Sequence, residues 1–104
     1  MTPLEDKKLL TIIAPSELQE LVLQTVRRCG VGGYTMVPAT GSGASGLRTG
    51  AFASDTNTLI YIIMSEPRLV DVLENLEGLM RMGYRLKALV SDIAILPRKA
   101  ISPD

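Results

Sequence analysis

The chain has 104 residues, 46% hydrophobic and 21% charged, with 11 basic and 11 acidic side chains and a formal net charge of zero. That is the length of one domain, with enough apolar content for a core and too much for a disordered chain. The charge balance argues against a nucleic-acid or membrane-surface binder, which would carry a basic excess. Histidine is absent, which removes the commonest general base and metal ligand, and Cys29 alone forms neither an internal disulfide nor a Cys cluster. An enzyme is therefore not expected, and no catalytic constellation is assigned. No apolar run reaches membrane-spanning length, and the start MTPLEDKK lacks the apolar stretch of a signal peptide, so a cytoplasmic location is expected.

The run Lys8 to Ala14 (KLLTIIA) reads as a strand stopped by Pro15. Ser16 and Gln19 have the spacing of a capping box, and Leu18, Leu21, Val22, Val26 and Cys29 then share one helical face. Gly30 is placed to end that helix. Tyr34 to Thr40 (YTMVPAT) reads as a second strand, and Pro38 within it predicts a sheet edge. Residues 41–57 (GSGASGLRTGAFASDTN) read as a long loop of the sort that is usually functional. Thr58 to Met64 (TLIYIIM) is a strand apolar on both faces, as central strands are. Glu66-Pro67 opens a second helix, with Leu69, Val72, Leu73, Leu76, Leu79 and Met80 at helical spacing and Gly83 past its end. Ala88 to Leu96 supplies the last strand, stopped by Pro97.

The order βαββαβ predicts a single α+β domain over 1–104, a ferredoxin-like two-layer sandwich with an antiparallel sheet. Strands one and three are then central, and the prolines fall in or after the edges. Two helices cover one sheet face. Strand three is apolar at Leu59, Tyr61 and Ile63 and also at Ile60, Ile62 and Met64, where a solvated face would alternate with polar residues, so the second face is expected to be buried by self-association.

Six glycines lie between Gly32 and Gly50, and no acid occurs from Leu21 through Ser54. Such a stretch suits a nest of backbone N–H groups around an anion, with Arg48 adding a bidentate contact, or it is a linker with one solvated arginine. The ending GSGASGLRTG is not a P-loop, since it lacks Gly-Lys-Ser/Thr. A second basic group comprises Arg81, Arg85, Lys87, Arg98 and Lys99, which is either solvated surface or a set of phosphate contacts. Cys29 lies on the apolar helix face and reads as a packed thiol.

The segment Gly30-Val31-Gly32-Gly33-Tyr34-Thr35-Met36-Val37 resembles the PII signalling family, where Gly-x-x-Gly-x-Thr leads into the second strand ahead of the long T-loop. The run Asp92-Ile93-Ala94-Ile95-Leu96-Pro97 resembles the last PII strand, and the element order extends the likeness over nearly the whole chain. The phosphate-holding Gly-Asp-Gly-Lys of classical members is absent, as are the Arg-rich C-terminal stretch and a loop tyrosine. The resemblance is accordingly nearest the carboxysome-associated PII-like proteins. It implies a homotrimer with intersubunit clefts for ADP, AMP or ATP and for bicarbonate, and no other cofactor. It also implies a link between energy state and inorganic carbon through an ordering T-loop, which would meet a membrane transporter or a carboxysome protein. By this likeness Gly33, Tyr34 and Thr35 line the nucleotide cleft. Gly41, Ser42, Gly43, Gly46 and Arg48 form the ligand-ordered loop, with Arg48 as the bicarbonate contact. Arg85, Lys87, Arg98 and Lys99 are further phosphate candidates. A ligand-free protein-binding module and a small phosphate-ester or acyl-phosphate enzyme on the same fold are the alternatives.

Overall fold

A computed structural model describes residues 2–41 and 56–98. Four strands and two helices follow in the order β1 (Glu5–Pro15), α1 (Gln19–Arg28), β2 (Thr35–Thr40), β3 (Thr56–Met64), α2 (Glu66–Arg81) and β4 (Lys87–Ile95). The sheet order is β2-β3-β1-β4, antiparallel throughout, so β1 and β3 are central and β2 and β4 are edges. This is the ferredoxin-like α+β sandwich, and Pro38 lies in an edge strand as its missing N–H requires.

The register decides which side chains are buried. Leu10 faces Ile62 and Ile12 faces Ile60 across the central ladder. These residues point toward the helices and are buried with Ala14, Met64, Val22, Leu23, Val26, Leu69, Val72, Leu76 and Leu79. The alternate residues point to the opposite face, where no helix lies. Leu9, Ile13, Leu59 and Tyr61 are half-buried there. Ile63 is 52% exposed, Leu89 45% and Val37 40%, so the chain alone leaves an apolar sheet face in water.

β2 begins one residue later than in the sequence reading and β4 is shifted back by one, to Thr35–Thr40 and Lys87–Ile95, and three features differ by more. β1 begins at Glu5, not Lys8, because Glu5, Asp6 and Lys7 pair with Ile95, Ala94 and Ile93 of β4. β3 begins at Thr56, so Thr56 and Asn57 belong to the sheet and not to the loop. The capping box does not form. Ser16–Leu18 make a 3-10 turn, α1 starts at Gln19, and neither start has a side-chain cap. The Gln19 side chain instead accepts a hydrogen bond from Thr58 Oγ1 at 3.0 Å, tying α1 to β3.

Both helices stop as the glycines predict. Gly30 has φ +89° and Gly83 φ +101°, a region other residues rarely adopt. Val31 N donates to Val26 O at 3.4 Å, and Tyr84 N to Leu79 O at 3.2 Å, which closes each helix end in a Schellman-type turn. Among the described residues no helix is long and apolar enough to cross a membrane.

Lys8 and Asp92 stand opposite each other on β1 and β4, joined by a 2.6 Å ion pair. The hydrogen bond to Asp92 pushes the Lys8 ammonium above the ordinary lysine value, against the opposing effect of burial. A raised folded-state value stabilises the fold fully below the ordinary lysine pKa, and this stabilisation is lost as pH climbs through the raised value. Wild type should therefore lose stability above about pH 10 more steeply than Asp92→Asn. Identical alkaline denaturation profiles for the two proteins would show that the pair contributes nothing.

Candidate functional site

The link from α1 to β2 forms one wall of a cleft of about 190 Å³. Gly30, Val31, Gly32 and Gly33 face Ile63, Met64 and Ser65, where β3 passes into α2. Lys7 and Arg68 complete the lining, which holds two basic side chains and no acid. A Cβ at Gly32 or Gly33 would meet nothing within 4 Å, so the space beside them is open to a ligand or a neighbouring subunit. Polar backbone on one side and apolar Ile63 and Met64 on the other suit a flat, partly polar ligand.

The link is fastened at both ends. Arg68 Nη1 donates to the Cys29 carbonyl at 2.6 Å. Arg27 Nη2 donates to Tyr34 Oη at 2.7 Å, and the same guanidinium lies 5.4 Å from the centre of the Tyr34 ring. Between them Val31 is buried in the core. Cys29 is also buried, with its thiol bonded to Thr25 O at 3.5 Å. Burial, with Asp71 nearby, pushes this thiol above its ordinary value, which keeps it protonated and unreactive as its apolar position suggests.

Of the site residues read from the sequence, Gly33 lines this cleft, and Tyr34 and Thr35 follow it into β2, with Thr35 opposite Tyr61 of β3. The others fall elsewhere. Gly41 follows the end of β2, at the opposite end of the sheet. Lys87 opens β4 opposite Ile13, level with Val37 but on the other edge of the sheet, and Arg85 lies just before it. Both are exposed. Three strand spacings, about 14 Å, separate the β2 edge from the β4 edge. Arg98 is exposed beyond the end of β4, back at the end where β1 begins. Arg81 pairs with Glu77 one turn away at 3.6 Å on the outside of α2. Ser42, Gly43, Gly46, Arg48 and Lys99 lie outside the described residues. One chain therefore does not bring the Gly33–Thr35 group and the Arg85–Lys87 group together.

Lys7, Ser65 and Arg68 line the cleft but were not singled out by sequence. Arg68 offered one signal. It is a cation in the first turn of a helix, where the helix dipole favours acids.

A larger groove of about 610 Å³ is lined by Asp6, Lys7, Lys8, Glu66, Asp92, Ile93 and Ala94. Its acids and bases are mixed, and Lys8 is already committed to Asp92. Among the described residues no group of three His, Cys, Asp or Glu is placed to hold a metal.

The family described as Nitrogen regulatory protein P-II matches residues 7–97. No curated protein matches the sequence. Among solved structures, a PII-like signaling protein of Thermus thermophilus is 31% identical, with a TM-score of 0.75 over 97% of this chain and 98% of that one. CPII of Thiomonas intermedia, a nitrogen regulatory PII-like protein, is 26% identical in a complex with ADP and bicarbonate. The TM-score there is 0.77, over 91% of this chain and 93% of that one. Another structure of CPII holds ADP, AMP and bicarbonate, at 24% identity with a TM-score of 0.77 over 91% and 98% of the two chains. The fold, the Gly-x-x-Gly-x-Thr link and the family match agree: this chain belongs to the P-II family of regulatory proteins.

Proposed function

We propose that this chain is a trimeric, non-catalytic sensor that binds ADP, AMP or ATP, together with bicarbonate, in clefts between its subunits. The observation that carries this reading is the separation of the site residues. Gly33, Tyr34 and Thr35 lie at the β2 edge of the sheet and Arg85 and Lys87 at the β4 edge, with β3 and β1 between them. A nucleotide reaching from one group to the other within a chain would have to cross the whole sheet. Two subunits packed through their bare sheet faces would bring one group beside the other. The base would then lie against the glycine link and Ile63, and the phosphates against the basic group of the neighbour. Binding of ADP and bicarbonate by CPII supports the choice of ligands.

The segment between β2 and β3, residues 41–55, occupies the family's T-loop position and is the proposed output element, with Arg48 as its anion contact. Ligand would shift it between two states by differential affinity. The proposed output joins energy state to inorganic-carbon metabolism, through a transporter or a carboxysome protein. The cellular compartment proposed is the cytoplasm.

Calorimetry with ADP, AMP and ATP, each with and without bicarbonate, tests the ligands. Saturable heat and a thermal shift are expected. At a hundredfold excess over Kd the shift should correspond to about 2.7 kcal/mol. No heat with any nucleotide sinks the reading, and steady conversion of ATP would replace the sensor by an enzyme.

Sedimentation equilibrium should give three times the 11.2 kDa chain mass. A stable monomer at micromolar concentration would remove the intersubunit cleft. Subunit mixing goes further. Tyr34→Ala and Lys87→Ala should each weaken ADP binding at every site. Random co-assembly of the two should restore about a quarter of the sites, because each site takes one residue from each of two chains. No restoration would place both residues in one subunit's site.

The Arg27–Tyr34 pair should hold the link ready for the base. Its cation–π contact and its hydrogen bond contribute about 1–2 kcal/mol together. Arg27→Ala should therefore weaken ADP binding about fivefold to thirtyfold, and Tyr34→Phe, which keeps the ring, by less. Equal wild-type affinity in both variants would show that the pair has no part in binding.

A further inference from the structure

We propose that Arg68 is a positioning residue for the nucleotide-binding link: from the first turn of α2 it fixes the Cys29 carbonyl and so sets the course of Gly30–Thr35. The proposal rests on the nucleotide reading of that link. The link needs outside support. Three of its first four residues are glycine, with no side chain to pack. The last carbonyls of any helix also lack partners within the helix. At the end of α1 this need is met from another element, since Arg68 Nη1 reaches the Cys29 carbonyl at 2.6 Å, a short charge-assisted bond.

Two further observations match Arg68 to this task. Gly30 has φ +89°, and a Cβ there would strike the Arg68 guanidinium, so glycine and arginine fit as a pair. An arginine in the first turn of α2 opposes that helix's own dipole, so α2 gains nothing from it. Its favourable partner is the negative end of α1. Arg27, which fastens the other end of the link, belongs to α1 itself. Arg68 is thus the contact that spans the cleft, joining the link to Met64 and Ser65 on the opposite wall. A ligand entering there meets a wall whose position α2 has already set.

Amide hydrogen exchange on the ligand-free protein, paired with ADP calorimetry, tests this directly. Arg68→Ala should speed exchange of the Gly30 and Val31 amides, which bond the Arg27 and Val26 carbonyls, by about tenfold to a hundredfold while the central turns of α2 stay protected. ADP affinity should fall by a comparable factor. Arg68→Lys, which keeps the charge but not the planar fork, should restore part of both effects. Unchanged exchange in Arg68→Ala overturns the proposal. Lost affinity with unchanged exchange also overturns it, because Arg68 would then contact the ligand directly. Faster exchange in a protein whose wild type gives no heat with ADP keeps the latch and discards the nucleotide reading. A double-mutant cycle gives a second measure. Gly30→Ala should lower Tm less in the Arg68→Ala background than in wild type, since one of its two penalties is gone. Equal losses in both backgrounds would show that the two residues are not matched.

Discussion

The pairing of β1 with β3 is the constraint on which the rest of the molecule depends. Leu10 opposite Ile62 and Ile12 opposite Ile60 put one row of large apolar side chains under the helices. The period of a strand is two, so the same register also fixes which row faces away. A slip of one residue would exchange Leu10 and Ile12 for Leu9 and Ile13. Both rows are apolar here, so the slip would leave the hydrophobic pattern nearly intact. Other contacts must therefore pin the register. Thr58 bonded to Gln19 does so for β3, and Lys8 paired with Asp92 fixes β1 against β4, because each polar group finds its partner in one alignment.

The same two-sidedness connects stability to function. Residues such as Ile63 and Leu89 contribute nothing to the monomer's core, yet β-branched and leucine side chains in water offer the fold no advantage. In the proposed trimer they are the surface on which copies meet. The proposed cleft at that junction would depend on correct assembly as well as on correct folding. The glycine link carries no large side chain into the cleft; Arg27 holds it from outside and Arg68 from the facing wall. Rigidity is thereby supplied by neighbours, and the wall facing the ligand remains backbone.

Much of this architecture was legible in the sequence. The apolar rows of Leu59 to Met64, the proline at position 38 and the glycines at 30 and 83 specified the central strands, an edge and two helix ends by local rules. The errors share one cause, which is a distant partner. Glu5, Asp6 and Lys7 carry no alternating apolar signal, and they are strand only because β4 lies beside them. Ser16 and Gln19 satisfied the spacing of a capping box, yet Gln19 is engaged with Thr58, far along the chain. Of the site, the link into β2 was visible as a motif. Lys7, Ser65 and Arg68 were not, because their role comes from the way β1 and the β3–α2 junction converge on that link.

The position of β1 has a consequence for how the chain reaches this state. Its two neighbours, β3 and β4, come from the middle and the far end of the sequence, and Glu5 pairs with Ile95. Contacts so distant along the chain close large loops, and such topologies fold slowly. During synthesis the sheet stays incomplete until β4 has left the ribosome. Until then the long apolar edge of β1 is unpaired, which is the form most open to wrong association. Chaperone shielding of the nascent N-terminal strand, or assembly soon after release, would answer that exposure.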